Sequence, residues 1–152
     1  GNQADMPLCC LCAVSKVVNG WAADTLSWNG HVIAEDLSGD EIQAFARIVR
    51  SISEDDAEAS SQAFFDRHLV HLMRPAHKYE CSGLLRRLLD SLDKSPSLEG
   101  ILAFDQLDGK HPRDWLTKPM ALHLRSLRLR RLQQAEVPER VLAQAFLLLN
   151  EQ

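Results

Sequence analysis

The stretch Ser38-Gly39-Asp40-Glu41-Ile42-Gln43-Ala44-Phe45-Ala46-Arg47-Ile48-Val49-Arg50 decides the fold class. Ser38 and Glu41 stand three apart, the spacing at which a serine caps the first turn of a helix and a glutamate reaches back to it. The apolar residues that follow, Ile42, Phe45, Ile48, Val49 and Ile52, recur at steps of three and four and mark one face of an amphipathic helix.

The same period extends in both directions. Pro7 precedes an apolar run read as a first helix from Leu8 to Asn19, closed by Gly20. Ser53-Glu54-Asp55-Asp56 reads as the acidic start of a helix carrying Phe64, Phe65, Leu69 and Leu72, with Pro75 closing it. Tyr79 to Leu92 carries a stripe of Leu84, Leu85, Leu88, Leu89 and Leu92. Ser95-Pro96 reads as a cap and first helical position before Leu98, Ile101, Leu102 and Phe104. Asn29-Gly30 and Asp108-Gly109-Lys110-His111-Pro112 read as turns. One long helix is expected from Pro119 to Gln134, and a last one after Val137-Pro138, with Val141 to Leu149 as its stripe. The fold expected is all-α, a bundle or short stack of helical hairpins with six or seven helices, in a single domain over residues 1–152.

Composition agrees. The chain has 152 residues, 45% of them hydrophobic and 25% charged, with seven Gly, six Pro and one Tyr. Few turn formers and few β-formers favour helices. This composition excludes a disordered tail and a collagen-like fibre. The longest apolar run, Leu8 to Val18, is interrupted by Lys16 and is too short to cross a bilayer. No membrane association is expected. Gly1 in the place of an initiator methionine fits a piece of a longer protein. Cys9, Cys10 and Cys12 crowd one turn and Cys81 stands apart, which suits reduced thiols in an intracellular protein better than a disulfide framework.

The formal net charge of -4 divides unevenly. Residues 1–108 hold nine Lys/Arg and 17 Asp/Glu; residues 109–152 hold eight and four. Arg125, Arg128, Arg130 and Arg131 concentrate the positive charge, interleaved with leucines. With Trp115 they form the candidate partner-binding set: an exposed tryptophan can anchor a protein partner, and arginines can meet acidic groups. Phosphate of a nucleic acid is the alternative, although no stacking aromatics accompany the arginines. Leucine is abundant enough that a homodimer face would fit the same pattern.

Two further clusters bear on chemistry. His68 and His71 share one helical face, and His77 and Cys81 lie four apart, so the four could complete a tetrahedral zinc site if their helices paired. Half-buried histidines near a helix end are the simpler reading. Cys9 and Cys12 share a face near a helix start, where thiols gain reactivity; buried packing is the simpler reading there. No GxGxxG, GxxxxGK[ST], GxSxG or HExxH pattern occurs, so no catalytic residue and no cofactor are expected. The function expected is a non-catalytic, intracellular helical interaction or scaffold domain. A nucleic-acid-associated protein and a metal-binding sensor or enzyme are the alternatives.

Overall fold

The computed structural model describes residues 3–24, 31, 34–107 and 115–151. The Asn29-Gly30 turn, Trp28 and the loop residues from Asp108 to Asp114 lie outside them. The described chain is all-helical, with nine helices and no strand. It divides into two compact units, Gly1–Leu89 and Asp90–Gln152. Cut there, the first unit holds eight Lys/Arg against twelve Asp/Glu and the second nine against nine. The excess of acid thus belongs to the first unit, and the second is neutral with its positive charge gathered toward its end.

In the first unit, α1 (Leu8–Val14) and α2 (Lys16–Asp24) replace the single helix expected from Leu8 to Asn19. The break is at Ser15, which is buried and extended, at φ -110° and ψ 116°. Its hydroxyl accepts the Val18 N–H at 3.0 Å and donates to the Tyr79 carbonyl at 2.7 Å. A serine that caps the next turn and has a buried acceptor to serve outweighs the continuity of the apolar run. Gly20 lies within α2 rather than ending a helix.

Helix α3 (Gly39–Arg50) begins with the expected capping box: Glu41 N–H donates to Ser38 Oγ at 3.2 Å and Ser38 N–H to Glu41 Oε1 at 3.0 Å. Phe45, Ile48 and Val49 are buried, whereas Ile52 lies past the helix end and is half exposed. Ser53-Glu54-Asp55-Asp56 does not open a helix. Asp56 instead accepts the Ala59 N–H at 3.0 Å and pairs with Arg47 at 3.1 Å, holding the connection in turns. Its carboxyl lies below the ordinary carboxylate range, first because of the Ala59 N–H and then because of Arg47. Ser61 caps the next helix, α4 (Gln62–Lys78), through the Phe64 N–H.

Pro75 lies inside α4 instead of closing it. Proline withholds the N–H that His71 C=O would normally accept, yet its ring is buried with Leu72, Met73 and Ala76, and the helix runs on one further turn. It ends at Glu80, whose φ is +48°. The Glu80 N–H reaches His77 C=O at 3.1 Å and the Cys81 N–H reaches Ala76 C=O at 2.8 Å, a left-handed cap usually built on glycine. Tyr79 therefore caps α4 and does not begin α5 (Ser82–Lys94). Helices α3 and α4 pack together over Phe45, Val49, Phe64, Phe65, Leu72 and Met73, all 2% exposed or less. Full burial of each such side chain contributes about 1.5–3 kcal/mol. The Phe45 and Tyr79 rings stack at 5.6 Å, and the Arg87 guanidinium lies 3.8 Å from the Phe65 ring.

The second unit contains α6 (Leu98–Asp105), α7 (Lys118–Ser126), α8 (Leu129–Gln134) and α9 (Glu139–Asn150). Ser97, rather than Ser95, caps α6, accepting the Gly100 N–H at 3.1 Å. Helix α7 packs on α9 and on α6, around Ile101, Phe104, Met120, Ala121, Leu124 and Val141.

The long helix expected from Pro119 to Gln134 is broken at Leu127 and Arg128, both extended at ψ 147° and 140°. The reason lies in the helical period. Met120, Ala121 and Leu124 are the buried face of α7. Positions four and seven beyond Leu124 would lie on that face in a continuous helix, and they are Arg128 and Arg131. Continuing the helix would drive two guanidinium groups into the core, at several kcal/mol each. The break turns both outward.

Candidate interaction surface in the C-terminal unit

The break sets the positions of the basic residues. Arg125 occupies the last turn of α7, where positive charge suits the helix dipole. Arg128 stands at the N-cap of α8 without a side-chain capping bond, and Arg130 and Arg131 follow on α8. All four are exposed. Arg131 makes a long contact with Glu99, at 3.5 Å between two exposed side chains, a pair that holds little energy in water. Arg125, Arg128 and Arg130 make no ion pair among the described residues. Among the described residues, pairing with acidic groups thus accounts for Arg131 alone of the four.

Arg140, not singled out by the sequence, has a structural role. Its guanidinium grips the Asp105 carboxylate with two donors, at 2.6 and 3.3 Å, and the Asp105 side chain is only 4% exposed. Asp105 is the last residue of α6, where a carboxylate meets the negative end of the dipole, so this partner is needed.

Trp115 is buried, its ring 4.8 Å from that of Phe104. It locks the entry to α7 and forms no part of the exposed basic face.

The same unit also exposes large apolar side chains. Leu129 is 70% exposed, Phe146 68% and Leu147 62%, with Leu122 and Leu142 also open. Helix α9 buries Val141 and Ala145 against the core. Leu142 and Phe146 are one turn apart on a second face. A signal was present in the sequence: the run Val141-Leu142-Ala143-Gln144-Ala145-Phe146-Leu147-Leu148-Leu149 holds more apolar residues than one helical face can bury.

The histidine and cysteine candidates are not drawn into one site. The His68 ring lies 4.4 Å from Phe64 and 6.3 Å from His71. Desolvation, then His71, Arg67 and Arg47, push the His68 imidazole below its ordinary pKa. Cys81 is wholly buried, its thiol pushed up to about 12 by desolvation and turned to the Tyr79 carbonyl at 3.8 Å. Among the described residues, no three of His, Cys, Asp or Glu gather closely enough to hold a metal ion. In α1, Cys10 is buried as expected, but Cys9 is exposed and Cys12 half-buried, and the Cys9 and Cys10 sulfurs are 3.9 Å apart. No described helix is long and apolar enough to cross a membrane.

No protein-family model, no curated protein and no solved structure matches this chain.

Proposed function

We propose that this chain is a non-catalytic helical interaction module that binds a protein partner through its C-terminal unit. The observation that carries this reading is the coexistence, on α7, α8 and α9, of open apolar side chains with Arg125, Arg128 and Arg130, which make no ion pair among the described residues. Leu129, Phe146 and Leu147 retain most of their apolar surface in water. Burying a side chain of this kind yields about 1.5–3 kcal/mol, so a few of them supply a binding core. Arg125, Arg128 and Arg130 complement an acidic amphipathic helix, which would bring its leucines to the apolar positions and its carboxylates to the guanidinium groups. The paired packing of α3 with α4 and α7 with α9 is in keeping with a short stack of helical hairpins, which presents such faces. Four free cysteines suit a reducing, intracellular compartment.

The test is affinity capture from cell extract, quantified by mass spectrometry, with three baits: the parent chain, Arg128→Glu/Arg131→Glu, and Phe146→Asp. A partner set captured by the parent and lost by both variants, with bait helicity unchanged, supports the proposal. An unchanged partner list overturns it. Fluorescence anisotropy with a DNA or RNA oligonucleotide at low salt separates the alternative, since a phosphate binder would lose affinity steeply as salt is added. Sedimentation of the parent chain identifies a second copy as the occupant.

A further inference from the structure

We infer that Cys9 and Cys10 form a two-sulfur site for a soft monovalent cation, Cu(I). The inference is independent of the C-terminal surface. Adjacent residues on a helix are about 100° apart, so neighbouring thiols do not meet unless both rotamers turn toward one another. Here they do, with Sγ to Sγ at 3.9 Å. Two sulfurs each about 2.3 Å from a metal held in line between them would stand about 4.6 Å apart. The pair at 3.9 Å reaches that separation by small rotations of the two side chains.

The setting is asymmetric. Cys9 is exposed and gives the ion entry; Cys10 is buried and shields one side. Both thiols are free, so both sulfurs are available as ligands. Two ligands are too few for zinc, which takes four. Thiolates suit soft cations, and Cu(I) is satisfied by two of them in line. Binding replaces two S–H bonds by two Cu–S bonds. One Cu(I) enters, two protons leave to solvent, and the site becomes a bis(thiolate) of net charge minus one. No electron is transferred. Cys81 takes no part, because its thiol is wholly buried.

The experiment is a competition for Cu(I) held by bicinchoninate, under anaerobic and reducing conditions, with loss of the chelator's colour as the readout. The parent chain is expected to withdraw one Cu(I) per chain. Cys9→Ser, a change at an exposed position, should abolish this, and Cys10→Ala should do the same with an unchanged circular dichroism spectrum. Should Cys10→Ala fail to fold, Cys9→Ser decides. Cys12→Ser and Cys81→Ser should both withdraw one equivalent as the parent does. A parent chain that leaves the chelator's colour unchanged overturns the inference. So does a Cys9→Ser variant that still binds, or loss in Cys12→Ser with retention in Cys10→Ala, which would move the site to the Cys9 and Cys12 pair.

Discussion

Replacing Arg140 by methionine removes the charge that faces Asp105 while keeping an unbranched stem. The Asp105 carboxylate is then left at the end of α6 with its side chain 4% exposed and its two donors gone. Removing one partner of a fully buried pair costs about 3–5 kcal/mol. The Arg140 side chain is 70% exposed, so water can approach the emptied position and the penalty is smaller. A lost charge-assisted hydrogen bond, about 1.5–3 kcal/mol, is the better guide, and we expect about 2 kcal/mol. Asp105→Asn acts differently. Arg140 can still donate to the amide oxygen, and the repulsion from the helix end disappears, for a cost below about 1 kcal/mol. The double variant should cost less than the two single changes added together, since the second change removes what the first exposed. The assay is urea unfolding followed by Trp115 fluorescence in a Trp21→Phe/Trp28→Phe background, because Trp115 rests on Phe104 beside Asp105. An Arg140→Met chain within about 0.5 kcal/mol of its parent would refute the reasoning, since that is the range of surface substitutions. An Asp105→Asn cost equal to that of Arg140→Met would refute it as well.

Three other outcomes are expected. Ser15→Ala removes the acceptor of the Val18 N–H and the donor to Tyr79 C=O, and should lower stability by about 2–3 kcal/mol in denaturant titration, the sum of a lost cap and a lost buried hydrogen bond. Glu136, at φ +51°, caps α8 with bonds from its own N–H to Gln133 C=O and from Val137 N–H to Leu132 C=O. Glu136→Gly should therefore raise the midpoint of thermal unfolding, with relief of left-handed strain exceeding the entropy glycine adds to the unfolded chain by about 0.5 kcal/mol; a lowered midpoint would contradict this. The folded-state pKa of His68 lies below 6.5, so the unfolded chain takes up the proton first as pH falls. Stability should be unaffected by this group above 6.5, fall as pH drops through that value, and level off beneath the folded-state pKa. His68→Gln should flatten this component when urea midpoints are compared from about pH 7.5 to about pH 5.5.

Where one helix carries its own instructions, sequence and structure agree. The Ser38 and Glu41 box and the buried Phe45, Ile48 and Val49 are local features, and the stripe of Leu88 and Leu92 on α5 is equally local. The breaks were hidden for a different reason. Ser15 interrupts the first apolar run because its hydroxyl serves a carbonyl 64 residues away, which no window of periodicity contains. Asp56 leaves its expected helix start because Arg47 of the preceding helix holds it. Of the candidate surface, the arginines were legible as a cluster, but not which of them were spoken for: Arg140 is held by Asp105, 35 positions earlier. Trp115 was legible as a large ring near an element end, while its burial on Phe104 depends on tertiary packing. The open face of α9 was written in its surplus of apolar residues, but only the packing of α7 shows which side stays bare.

The break at Leu127 and Arg128 also bears on how this surface can change over generations. In an unbroken helix, positions 128 and 131 would belong to the core, closed to charge and tied in volume to their neighbours. Released from that register, both become sites where a substitution alters the electrostatics of the surface without disturbing Met120, Ala121 or Leu124. Selection for a new partner can then act on recognition alone, because the residues that choose the partner and those that hold the unit together have been separated by two extended residues.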